Sequence, residues 1–160
     1  ISSSGCASFA GGCRPISSST ATRPMPGSFF DTHVLIYLAS GDPAKANRAE
    51  AVVREGGAIS VQVLNEIANV ARRKLEMSWQ DTRSFLSSMR GLLSVHPVTT
   101  ETHELGMALA ERYGLSIFDA FIAASALLAE CDRLWSEDMQ DGLAIDRRLR
   151  IVNPFADRRR

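Results

Sequence analysis

From Ser28 onward, short apolar runs alternate with longer stretches of helical period, and this alternation constrains the fold more than any other feature of the chain. The segments "SFFD", "AIS", "SVHPVT", "DRLWS" and "LRIVNP" are too short for helices and read as strands. Between them lie a short helix in "THVLIYLAS", one in "GDPAKANRAEAVVREGG" bounded by a turn and a Gly-Gly stop, and one in "VQVLNEIANVARRKL". "SWQDTRSFLSSMRGLL" opens on a Ser cap, and "TTETHELGMALAERYG" opens on a capping pattern and stops at Gly114. "SIFDAFIAASALLAE" is apolar almost all round, which predicts a buried helix. Strand and helix in this order imply right-handed crossovers and a parallel sheet covered on both faces. The expected fold is therefore a three-layer α/β/α domain with a central parallel sheet of about five strands. Ligands of such folds bind at the carboxyl ends of the strands, where strand order reverses.

The expected domain runs from 28 to 155. Residues 1–27 are rich in Ser, Gly and Pro without an apolar period and predict a disordered leader, with Met25 a candidate native start. Residues 156–160 read as a basic C-terminal tail. Lys plus Arg equal Asp plus Glu at 18 each, so binding of a polyanion must rest on a local patch or on metal ions. The three cysteines, Cys6, Cys13 and Cys131, are too scattered for a disulfide framework or a zinc cage, which fits a reducing cytoplasm. No run approaches the roughly 18 apolar residues that span a bilayer.

Four acids stand in apolar surroundings. Asp31 ends the first strand; Glu66 is the only ionisable group of residues 58–70, and Asp119 the only one of 116–129. Asp138 follows the fourth strand, in a segment that also holds Glu137 and Asp141. Each has an ordinary explanation: Asp31 as a helix N-cap, Asp119 as the third residue of a capping box begun by Ser116, Glu66 as a solvated helix edge, Asp138 and Asp141 as turn residues before Gly142. In a parallel sheet, however, all four converge on one rim. Carboxylates packed together repel one another and lose solvation unless protons or cations offset the cost. Oxygen-only ligands select Mg²⁺ or Mn²⁺ over zinc, and such centres serve phosphate chemistry.

The segments "FFDTHVLIYLAS", "SVQVLNEIANV", "SIFDAFIAASALLAE" and "LWSEDMQDG" resemble, in order, the four acidic motifs of PIN-domain ribonucleases, most closely the VapC-type toxins of bacterial toxin–antitoxin pairs. The resemblance covers about residues 28–155. It implies an endoribonuclease dependent on Mg²⁺ or Mn²⁺, whose catalytic and metal-binding quartet is Asp31, Glu66, Asp119 and Asp138. It also implies a supporting hydroxyl at Ser136, an outer position for Asp141, a homodimer, and an antitoxin of the VapB type. The family usually carries Asn where this chain has His33. Read from its place on a helix, that ring packs on the core or donates one hydrogen bond rather than binding metal.

Arg72 and Arg73, on the same helix as Glu66, are candidate contacts to RNA phosphates, although basic runs are ordinarily solvated faces. Two other readings remain open on the residues. A haloacid-dehalogenase-like phosphatase also begins from a strand-end Asp, but requires a second Asp where His33 stands. A non-catalytic α/β binding module would use the acids only as caps.

Overall fold

The computed structural model describes residues 27–157. The expected leader upstream of Gly27, including Cys6, Cys13 and Met25, and the final Arg158 to Arg160 lie outside the described residues. In chain order the elements are β1 (Gly27–Phe30), α1 (Thr32–Ile36) continued by a 3₁₀ turn (Tyr37–Ala39), α2 (Pro43–Val53), β2 (Ala58–Ser60), α3 (Val61–Arg73), α4 (Trp79–Leu92), β3 (Ser94–His96), α5 (Thr100–Tyr113), α6 (Ile117–Leu128), β4 (Cys131–Trp135), β5 (Ala144–Ile145) and β6 (Leu149–Val152). The sheet order is β3-β2-β1-β4-β6-β5. Every pairing is parallel except that of β5 with β6.

The chain builds outward from β1 through β2 to β3, then returns to place β4 on the other side of β1. Strand order therefore reverses between β1 and β4, the position at which α/β sheets open a crevice. Both faces of the sheet are covered. Phe29, Phe30, Ile59, Leu134 and Ile151 are fully buried, joined by Val34, Leu35, Ile67, Leu109 and Ile122 from the flanking helices. No helix among the described residues is long and apolar enough to cross a membrane.

Local chemistry sets the ends of the helices. Ser60, Ser78, Thr99 and Ser116 each turn a hydroxyl onto a first-turn amide of α3, α4, α5 and α6. Gly114 closes α5 in the left-handed conformation with φ 66°. α5 and α6 pack closely because Gly106 has no side chain: a Cβ there would lie 2.0 Å from Phe121 Cδ1.

The five mutually parallel strands are the expected sheet of about five, to which β5 adds a sixth as an antiparallel hairpin with β6 across Asp146 and Arg147, both at positive φ. One expectation needs correction. Helix α6 is buried along most of its length but not all round, since its first turn leaves Ile117 and Phe118 exposed, Phe118 at 67%.

Candidate metal centre at the strand-order reversal

Phe30 of β1 lies in register with Trp135 of β4, so the residues that follow them, Asp31 and Ser136, leave the sheet side by side. The Asp31 amide donates to Trp135 O at 2.9 Å, and the Ser136 amide donates to Val152 O at 3.1 Å, extending the ladders by one residue on each side. Asp31 is 3% exposed and Ser136 fully buried. Ser136 Oγ donates to Asp31 Oδ2 at 2.7 Å and accepts the Met139 amide at 3.3 Å. Asp31 Oδ1 accepts the Thr32 amide at 2.6 Å, which makes Asp31 the N-cap of α1. The capping role is thus real, but it engages one oxygen only.

Burial pushes the Asp31 carboxyl up from the ordinary 3.8 to about 6; the Ser136 and Thr32 hydrogen bonds and His33 pull it down, and the charge of Asp119 pushes it up again. Asp119 lies in the first turn of α6, where Ser116 Oγ accepts its amide at 3.2 Å. The return bond of a capping box, from the Asp119 side chain, is not formed among the described residues. Asp119 is half-buried, and its charge opposes the ionisation of Asp31.

Glu66 is held from two sides. Thr32 Oγ1, itself buried, donates to Glu66 Oε2 at 2.7 Å, and Gln62 Nε2 donates to Glu66 Oε1 at 2.8 Å from one turn earlier on α3. Thr32 thus links two sites: its amide caps Asp31 and its hydroxyl fixes Glu66. Neither Thr32 nor Gln62 stands out in the sequence. The available signal is a hydroxyl directly after a strand-end Asp, where the first turn of α1 meets α3.

Asp138 is half exposed, and His33 Nδ1 lies 2.7 Å from its Oδ2. The His33 ring is therefore not core packing, as one of its expected readings had it. It projects from α1 at 48% exposure and engages Asp138. Donor atoms of Asp31, His33 and Asp138 all lie within 4.8 Å of one another.

The two other acids of this segment point elsewhere. Glu137 Oε2 accepts from Tyr37 Oη at 2.6 Å, and Glu137 Oε1 pairs with Lys45 Nζ. Burial pushes the Glu137 carboxyl up, but these two bonds outweigh it and hold the group below its ordinary range. Asp141, expected as an outer member of the site, instead accepts the Asn153 amide at 2.8 Å and ties the segment to the end of β6.

Arg72 is also committed elsewhere. It donates to Met77 O and lies 4.5 Å over the Trp79 ring, closing the corner between α3 and α4. Six residues beyond Glu66 on a helix is about 9 Å further along the axis, away from the rim where α3 starts. Arg73 is exposed on the same final turn.

The donor set fits a hard divalent cation. No lysine or arginine pairs with Asp31, Glu66, Asp119 or Asp138 among the described residues. The hydrogen bonds that reach Asp31 and Glu66 come from neutral groups, so they orient the carboxylates without cancelling their charge.

The PIN domain family model matches residues 28–144. The chain belongs to the PIN-domain family. Among solved structures, this PIN domain is similar to a toxin–antitoxin complex from Klebsiella pneumoniae, at 28% identity and TM-score 0.62 over 81% of this chain and 98% of that one. It also shares the fold of DNA-bound VapBC from Salmonella typhimurium, at 18% identity and TM-score 0.60 over 79% of this chain and 97% of that one. A third structure with this fold is VapC20 from Mycobacterium tuberculosis, a sarcin–ricin loop cleaving toxin, at 18% identity and TM-score 0.58 over 70% of this chain and 90% of that one. A search of curated proteins returns no significant match.

Proposed function

We propose that this PIN-domain protein is a metal-dependent endoribonuclease that hydrolyses RNA phosphodiester bonds, and that it is the toxin of a toxin–antitoxin pair. The observation that carries the reading is the buried Asp31 with Asp138 and His33 beside it and the charge of Asp119 acting on it, with no lysine or arginine pairing with these acids among the described residues. When bound there, a divalent ion such as Mg²⁺ or Mn²⁺ would polarise a phosphoryl oxygen and lower the pKa of a water.

In this reading the chain's own groups bind and orient. Asp31, Asp119 and Asp138 are the principal ligands, and Glu66, clamped by Thr32 and Gln62, completes the centre directly or through water. Ser136 prevents the Asp31 carboxylate from rotating out of the crevice. RNA is the substrate, with Arg73 a more available phosphate contact than the engaged Arg72. The toxin–antitoxin complex at 28% identity supports a VapB-type antitoxin as partner. Exposed Val98, Met107, Ile117 and Phe118 on and beside α5 and α6 offer apolar surface for that partner or for a homodimer.

The test is incubation of the purified protein with total RNA in the presence of Mn²⁺, Mg²⁺ or EDTA, with mapping of the new ends. Cleavage is expected only with the divalent ion, and Asp119→Asn is expected to abolish it while preserving the fold. Cleavage at parental rate by Asp119→Asn, or undiminished in EDTA, refutes the assignment.

A further inference from the structure

We propose that His33 is a metal ligand beside Asp31 and Asp138, so that the centre of this protein carries an imidazole nitrogen among its carboxylates and suits first-row transition ions rather than Mg²⁺. The inference rests on the metal reading above and deepens it.

The geometry of the donors carries the argument. Cis ligands of an octahedral ion with bonds of about 2.1 Å lie roughly 3.0 Å apart and trans ligands roughly 4.2 Å apart. His33 Nδ1 and Asp138 Oδ2 are 2.7 Å apart, close to a cis edge. All three donors, including one oxygen of Asp31, lie within 4.8 Å of one another, not far beyond the trans separation of an octahedral ion. The remaining motion falls on the right groups. Asp31 is anchored by Ser136 and Thr32, whereas the side chains of His33 and Asp138 are both about half exposed and, among the described residues, are held only by each other.

The chemistry points the same way. In the ion-free protein the imidazole partly offsets the Asp138 charge through one hydrogen bond. A bound ion would take the place of that proton, which passes to Nε2 of a neutral ring or to solvent, and leave the Nδ1 lone pair as the ligand. Imidazole nitrogen favours the later first-row ions, whereas Mg²⁺ prefers oxygen, so the third ligand shifts selectivity as well as affinity. A role confined to orienting Asp138 would shift neither in an ion-specific way.

The full-length protein is titrated calorimetrically with Mg²⁺, Mn²⁺ and Co²⁺, alongside His33→Asn. The Mn²⁺-loaded forms are examined by pulsed electron paramagnetic resonance for ¹⁴N coupling. The expected result is ¹⁴N coupling in the parent and none in His33→Asn, with Co²⁺ affinity falling at least about tenfold in the variant and Mg²⁺ affinity changing by less than about threefold. Bound Mn²⁺ without ¹⁴N coupling in the parent overturns the inference and leaves the nuclease reading standing. Coupling that persists in His33→Asn also overturns it, because it then arises from His96 or His103. Failure of the parent to bind any of the three ions refutes both readings.

Discussion

Replacing Asp31 with Asn should make the metal-free protein more stable while destroying its activity. The carboxyl is raised from 3.8 to about 6, chiefly by burial. Each pKa unit is worth about 1.4 kcal/mol, so carrying the ionised form costs the native state about 3 kcal/mol at neutral pH. Asn keeps one of the two hydrogen bonds and reverses the other: its Oδ1 accepts the Thr32 amide, and its amide donates to the free lone pair of Ser136 Oγ, whose hydroxyl hydrogen loses its acceptor and takes back part of the gain. The expected gain is between about 1 and 3 kcal/mol, or roughly 4–10 °C in Tm.

The sign of the pH dependence follows from the direction of the shift. With the native pKa above the unfolded one, the native state holds the extra proton between about pH 4 and pH 6. The cost is absent below the unfolded value, grows through that window and is complete above it. The parent therefore loses stability relative to the variant as pH rises, and the gap at pH 4.5 should be about one third of that at pH 7.5. Thermal or denaturant unfolding of both proteins in EDTA at the two pH values measures it, and added Mn²⁺ should narrow the gap by stabilising the parent alone. A variant that melts below the parent at pH 7.5, or a gap indifferent to pH, refutes the reasoning.

Three further outcomes follow from the same contacts. Ser136→Ala removes the donor to Asp31 and the acceptor of the Met139 amide; denaturant unfolding should show a loss of about 1–3 kcal/mol and an Asp31 pKa raised further. Thr32→Val frees Glu66 from its buried clamp; divalent-ion affinity by calorimetry should fall about tenfold or more, with circular dichroism unchanged. Gly106→Ala drives a methyl into Phe121; it should cost about 1–3 kcal/mol by denaturant unfolding.

Legibility in the sequence was uneven, for reasons that lie in particular residues. Strand-helix alternation identified the layered α/β fold because each buried run was bounded by a cap or a glycine. β5 escaped notice because two residues carry no period, and because its turn places Asp146 and Arg147 at positive φ without the Asn or Gly that normally announces it. Among the acids, spacing revealed which end of the sheet they occupy but not where each carboxylate points. Glu137 and Asp138 are neighbours in the chain and face different partners. Asp141 has the appearance of a site residue and instead serves a backbone amide. Arg72 was misleading for a similar reason, since its stacking on Trp79 depends on how α3 and α4 turn against each other. Thr32 and Gln62 were missed because their importance lies only in what they touch.

The segment after β4 divides its three negative charges among four partners: an ammonium and a phenol for Glu137, a peptide N–H for Asp141, and an imidazole for Asp138. Only Asp138 turns toward the crevice, so the electrostatic load on Asp31 is lighter than a count of acids along the chain suggests. The other two acids act as guy-ropes, one to the start of α2 and one to the edge of β6, that fix where Asp138 stands. A loop dense in acid can in this way serve as a rigid bracket for a single ligand.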